Sequence, residues 1–200
     1  MNTEILLNWI LDKGNRDKFA TSPGYQKSGY VVGIKHLQVP TPELKAHGFP
    51  FLVLRELADY LLEYFDLDVS TEIEPNFGHL LCYSEEGHEV QVHKDPNNNL
   101  VGEDQRTQEF KDIDYLEDKV HVRLNVLLSK SEKGGDPIIN GKIIPVKVNE
   151  PWLCLAGIYP HSTTITEGPT PRVLVSLGYF IPTEFAKLRG WIDEVPKNIT

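Results

Sequence analysis

The chain has 200 residues, 40% hydrophobic and 24% charged, enough to bury one sizeable core and too balanced for wholesale disorder. Its net charge of −9 argues against a general polyphosphate partner, because non-specific nucleic-acid affinity comes from Lys and Arg releasing counterions, although a local basic groove stays open. No run approaches the roughly 18 apolar residues of a membrane span, and MNTEILLNWILDKGN lacks a basic leader, so the expectation is a soluble cytoplasmic protein.

We read one domain over 1–200, with helical support over 1–75, a barrel core over 76–182 and a tail over 183–200. Thr3 followed by EILLNWILDKG predicts a short helix, with Thr3 as N-cap, Leu6, Trp9 and Ile10 on one face and Gly14 as its stop. Residues 15–48 are rich in Gly, Pro, Ser and Lys and predict loops with one strand at Tyr30–Ile34. Over 51–65, Leu54, Leu57, Ala58, Leu61, Tyr64 and Phe65 recur at helical spacing. That marks a core-backing helix rather than a cofactor-binding segment.

After Pro75 the period changes. FGHLLCYS, EVQVHK, KVHVRLNVLLS, KIIPVKV, WLCLAG, STTIT and RVLVSLGYFI are short runs rich in β-branched and aromatic residues, separated by Gly, Pro, Asp and Asn. Helices first and many strands afterwards predict a mainly β sandwich or barrel with helices on one outer face. The polar, acidic stretch 97–118 is too long for a hairpin loop and reads either as a lid over a site or as a disordered insertion. TEFAKLRGW allows one or two helical turns after Thr183. Cys82 and Cys154 lie in the apolar runs HLLCY and WLCLAG with no Cys-x-x-Cys pairing, so buried, reduced thiols are expected.

The chemistry starts in EVQVHKDP. On an extended backbone His93 and Asp95 project from one face, so an imidazole and a carboxylate converge on one point. A His-x-Asp pair also arises by chance in an acidic chain. Two ligands hold a metal weakly, and His161 in GIYPHSTTIT is the candidate third; together they would form the two-His-one-carboxylate set that leaves positions open on iron(II). Arg172 opens RVLVSLGYF, and its guanidinium fork suits a carboxylate, the alternative being a surface salt bridge. Ser176 shares its strand face. On KVHVRLNVLLS, alternation places His121, Arg123 and Asn125 together. They form either a solvated outer face or a cavity wall, in which Arg123 and His121 meet substrate and Asn125 meets substrate or cosubstrate. His36, His47, His79 and His88 have no partner at ligand spacing and read as structural or surface residues, and Gly134–Gly135 reads as a turn.

The ordered set His93-x-Asp95, His161 and Arg172 on successive predicted strands resembles the iron(II)- and 2-oxoglutarate-dependent oxygenases over 77–182. CYSEEGHEVQVHKD and RLNVLLSKSEKGGDPIING are similar to that family's prolyl-hydroxylase-like branch. The resemblance implies a double-stranded β-helix of jelly-roll or cupin-like type with N-terminal helices packed on the major sheet. It implies Fe(II) on His93, Asp95 and His161, 2-oxoglutarate with its distal carboxylate on Arg172, O2 as oxidant and ascorbate as a supporting reductant. It also points to Tyr83, whose hydroxyl would face the cosubstrate, with Ser176 and Asn125 as further contacts. With a carboxylate in the third position there is no room for the halide that halogenating relatives bind. The implied reaction is therefore hydroxylation of an unactivated C–H in an amino acid, small metabolite or peptidyl residue, or a follow-on desaturation or demethylation, with release of succinate and CO2. A nucleic-acid oxygenase or demethylase, and a non-catalytic binding or assembly module, stand as alternatives.

Overall fold

A computed structural model describes residues 2–20, 29–34, 42–68, 70–74, 78–95 and 119–192. Its elements run α1 (Glu4–Leu11), α2 (Lys13–Phe19), β1 (Tyr30–Ile34), α3 (Pro42–Ala46), α4 (Phe51–Tyr64), β2 (Glu72–Ile73), β3 (His79–Ser84), β4 (Lys119–Ser129), β5 (Pro137–Ile139), β6 (Lys142–Ile143), β7 (Pro151–Cys154), β8 (His161–Thr163), β9 (Arg172–Pro182) and α5 (Thr183–Leu188). The stretch 97–118, read as a lid or an insertion, lies outside the described residues, as does His36.

The first helix ends earlier than Gly14. Asp12 adopts an extended backbone, with φ −69° and ψ 116°, and its carboxylate accepts the Asn15 N–H at 3.1 Å, so it closes α1 and caps α2. Thr3 makes no side-chain cap; its hydroxyl bonds Asn149 Oδ1 instead. Among the described residues no helix is long and apolar enough to cross a membrane.

The strands form two antiparallel sheets. The larger has the order β1-β3-β9-β4-β7, with β2 pairing the far end of β9, and the smaller has the order β6-β5-β8. EVQVHK is not a continuous strand. His93 pairs with His161 through both backbone hydrogen bonds, but the Thr163 N–H then reaches the Val90 carbonyl, one residue beyond regular register. This bulged segment extends the small sheet beside β8. Counted with it, the core strands from β3 to β9 alternate between the sheets except for the β5–β6 hairpin, which lies wholly in the small sheet; this is the double-stranded β-helix, jelly-roll order of cupin-like folds.

Alternation along β4 and β9 decides where the core sits. Val122, Leu124, Val126, Val173, Val175 and Leu177 face outward and are buried by Leu6 and Ile10 of α1 and Leu54, Leu57 and Leu61 of α4. The N-terminal helices thus pack on the major sheet as expected, each buried leucine contributing about 1.5–3 kcal/mol. The opposite, inner face carries Arg123, Asn125, Arg172 and Ser176 and borders a cavity closed from the other side by the small sheet. The polar face of KVHVRLNVLLS is therefore a wall and not a solvated surface.

Candidate metal centre

The bulge at Gln91–Val92 shapes the first half of the site. It releases the Gln91 carbonyl from the ladder, and His93 Nδ1 lies 2.7 Å from that oxygen. His161, opposite, repeats the device: its Nδ1 lies 3.1 Å from the Tyr159 carbonyl. A carbonyl only accepts, so each Nδ1 carries the proton and each Nε2 presents its lone pair. Burial, reinforced by His93, lowers the His161 pKa to about 4, so its imidazole is neutral near pH 7.

Asp95 completes the group. Its N–H donates to the Ala156 carbonyl at 2.9 Å, and its Oδ1 lies 3.6 Å from His93 Nε2. The potential ligand atoms of His93, Asp95 and His161 all lie within 4.8 Å of one another, the one such group of three among the described residues. Burial alone would raise the Asp95 carboxyl, but Arg123, then His121, His161 and His93, outweigh it and hold the group well below the usual carboxylate range. Two imidazole lone pairs and an ionised carboxylate converging from one side fit a divalent metal with positions left open.

The three residues border a cavity of about 150 Å³ whose floor includes Leu80, Leu174 and Trp152. Arg172 lines it too, 3% exposed, and its Nε has no hydrogen-bond partner. Such a cation is costly in a dry interior, and burial lowers its pKa. Gly135 admits it: a Cβ there would meet Arg172 Cδ at 2.8 Å, and φ is +66°. Asn125 and Ser176, paired in register across β4 and β9, line the same space, Asn125 Nδ2 donating to the Arg123 carbonyl at 3.0 Å.

Three expected contacts are corrected. On β3, Leu80 and Cys82 border the cavity, so alternation sends Tyr83 to the helix side, where its ring lies 3.9 Å from the Arg16 guanidinium carbon and its hydroxyl donates to Glu85 at 3.0 Å. Tyr83 cannot face a ligand in the cavity. His121 is fully buried behind the carboxylate, Nδ1 3.6 Å from Asp95 Oδ2, and does not line the cavity. Arg123 reaches the cavity but is committed to protein groups. Its Nε donates to Asp95 Oδ2 and its Nη1 to the Gly78 carbonyl, both at 2.9 Å, and Nη2 lies 3.9 Å from Glu74.

Sequence reasoning passed over Glu74, fully buried beside Arg123, and Trp152 and Cys154, which β7 aims at Asn125 and Arg123 in register. Alternation along PWLC carries the signal for the latter two. Burial, with Asp95 nearby, raises the Cys154 thiol to about 12, so it is unionised.

Compared by sequence, the chain matches no family model and no curated protein. Solved structures with a similar fold include a prolyl-4-hydroxylase from Pseudomonas putida, at 12% identity and TM-score 0.49 over 91% of this chain and 88% of that one. A predicted oxalate decarboxylase from Thermotoga maritima shows 14% identity and TM-score 0.31 over 50% of this chain and 64% of its own. A cupin domain from Schizosaccharomyces pombe shows 12% and 0.32 over 64% and 73%. The class defined by strand order and cavity is a cupin-like double-stranded β-helix. Its particular feature is a His-Asp-His group able to hold a metal inside that cavity.

Proposed function

We propose that the chain is an iron(II)- and 2-oxoglutarate-dependent oxygenase that hydroxylates an unactivated C–H of an amino acid, small metabolite or peptidyl residue. One observation carries the reading: the His93–Asp95–His161 group and the buried cation Arg172 border the same cavity. Neither a metal site alone nor a buried cation alone would call for a ligand that is both a chelator and a carboxylate.

In this reading His93 Nε2, His161 Nε2 and Asp95 Oδ1 hold the iron. Arg172 takes the distal carboxylate of 2-oxoglutarate through charge-assisted hydrogen bonds that its burial strengthens. Asn125 and Ser176 lie on the wall between β4 and β9 and orient the cosubstrate. Iron and 2-oxoglutarate, when bound, supply the oxidising chemistry by activating O2, with succinate and CO2 as by-products. Leu80, Leu174 and Trp152 exclude water around the reacting groups. The described residues lining the cavity include no Lys and no Arg beyond Arg123 and Arg172, which favours an uncharged substrate group over a nucleic-acid phosphate.

The test is incubation with Fe(II), ascorbate and 2-oxoglutarate against pools of amino acids, metabolites and peptides. Succinate release stimulated by a pool, and lost in His93→Ala, is expected. Intact metal binding with no 2-oxoglutarate consumption in any pool would instead make the protein a binding module.

A further inference from the structure

We propose that Arg123 is a positioning residue that fixes Asp95 as a one-oxygen metal ligand. The inference rests on the metal reading above and extends it to a residue that acts through the ligand Asp95.

The two carboxylate oxygens of Asp95 have separate surroundings. Oδ1 faces His93 Nε2 at 3.6 Å, whereas Oδ2 accepts the Arg123 Nε–H at 2.9 Å and has His121 Nδ1 at 3.6 Å. A carboxylate tied only by its backbone can rotate about its last bond and chelate a metal with both oxygens, closing a position that a reaction needs open. With Oδ2 occupied by a guanidinium that rotation is blocked, and the orientation is set before any metal arrives.

Arg123 is itself held rigidly. Its Nη1 donates to the Gly78 carbonyl at 2.9 Å, and its Nη2 lies 3.9 Å from Glu74, whose Oε2 accepts the Gly78 N–H at 2.9 Å. Glu74 is 0% exposed, and Arg123 and Asp95 are each 5% exposed, so the pairing acts away from solvent screening. Space for the guanidinium comes from the facing strand. Arg123 pairs in register with Gly178, where a Cβ would meet Nη1 at 2.9 Å and His121 Nε2 at 3.0 Å. The placement therefore uses β4, β9 and the segment before β3 together.

The test is calorimetric titration with Mn(II), alongside thermal unfolding. Arg123→Met should lower Mn(II) affinity by about 10–100-fold, and Arg123→Lys, which restores the charge without the fork, should recover part of it. Because Arg123→Met removes the guanidinium beside buried Glu74, the double variant Glu74→Gln/Arg123→Met is measured as well and should show the same affinity loss. A role confined to stability predicts lower unfolding temperatures with Mn(II) affinity within about twofold of the native chain; that result overturns the proposal. Asp95→Ala separates the two layers. If it abolishes Mn(II) binding while the Arg123 variants bind normally, only the positioning role fails. If it leaves binding unchanged, the metal centre itself fails.

Discussion

His93 and His161 face one another across a doubly hydrogen-bonded backbone pair, their ring centroids 4.2 Å apart and each Nδ1 held by the carbonyl two residues earlier. The two backbone carbonyls thus set both tautomers and leave two Nε2 lone pairs facing one point.

Both rings are only half-buried, so replacing them removes ligands and little packing. His93→Ala and His161→Ala should each weaken Mn(II) binding by about a hundredfold or more, with an unfolding free energy within about 1 kcal/mol of the native chain. Calorimetry and urea unfolding check the pair of outcomes.

Arg172 makes the opposite trade. Its Nε lacks a partner in a 3% exposed side chain, so Arg172→Met should leave the stability of the metal-free protein unchanged or raised. The same change should weaken 2-oxoglutarate binding by about 1.5–3 kcal/mol, roughly ten- to a hundredfold, the worth of a hydrogen bond to a charged group. Unfolding curves in the absence of ligand and a 2-oxoglutarate titration measure the two effects separately.

The His79 ring is fully buried against Tyr179, with no hydrogen-bond partner on either nitrogen, and burial followed by the charge of Arg123 lowers its pKa from 6.5 to about 3. The folded state keeps it neutral while the unfolded chain takes up a proton below pH 6.5. Its contribution is therefore complete above pH 6.5 and is lost as pH falls from there toward 3. Stability should fall by up to about 1.4 kcal/mol per pH unit from this group, and His79→Phe should flatten the slope by about one proton. Urea unfolding at a series of pH values gives that slope.

The helix–sheet layer yields a contrast on one helix. Leu57 of α4 is fully buried and Leu52 is 67% exposed. Leu57→Ala should cost about 2–5 kcal/mol, whereas Leu52→Ala should change stability by no more than about 0.5 kcal/mol. Equal effects would mean that α4 does not cover the sheet.

Much of this was legible in the residues. The helical spacing of Leu54, Leu57 and Leu61 marked a core-backing helix, and alternation in β4 grouped His121, Arg123 and Asn125 on one face without deciding whether that face met solvent or a cavity. His93, Asp95, His161 and Arg172 stood out because their side-chain chemistry is specific. Tyr83 failed on parity: a shift of one residue moves a side chain to the other face, and nothing local in CYSEEGH sets which face that is. Arg123 was read on one face with His121 and Asn125, left open between a solvated surface and a cavity wall; its partner Asp95 arrives from a separate segment, and no pattern within β4 reveals that contact. The bulge before His93 was likewise invisible, because it depends on hydrogen bonds and backbone angles rather than on residue type, whereas the capping signal of Asp12 was there to read and Gly14 was taken as the stop instead.

The central claim is that metal and cosubstrate share the cavity between His93 and Arg172. Its most direct measurement is an anaerobic titration of 2-oxoglutarate into the native chain, with and without Mn(II), repeated with Arg172→Met. We predict saturable binding that requires Mn(II) and is weakened in the variant. Binding of equal strength without metal, or unaffected by the loss of Arg172, would contradict it.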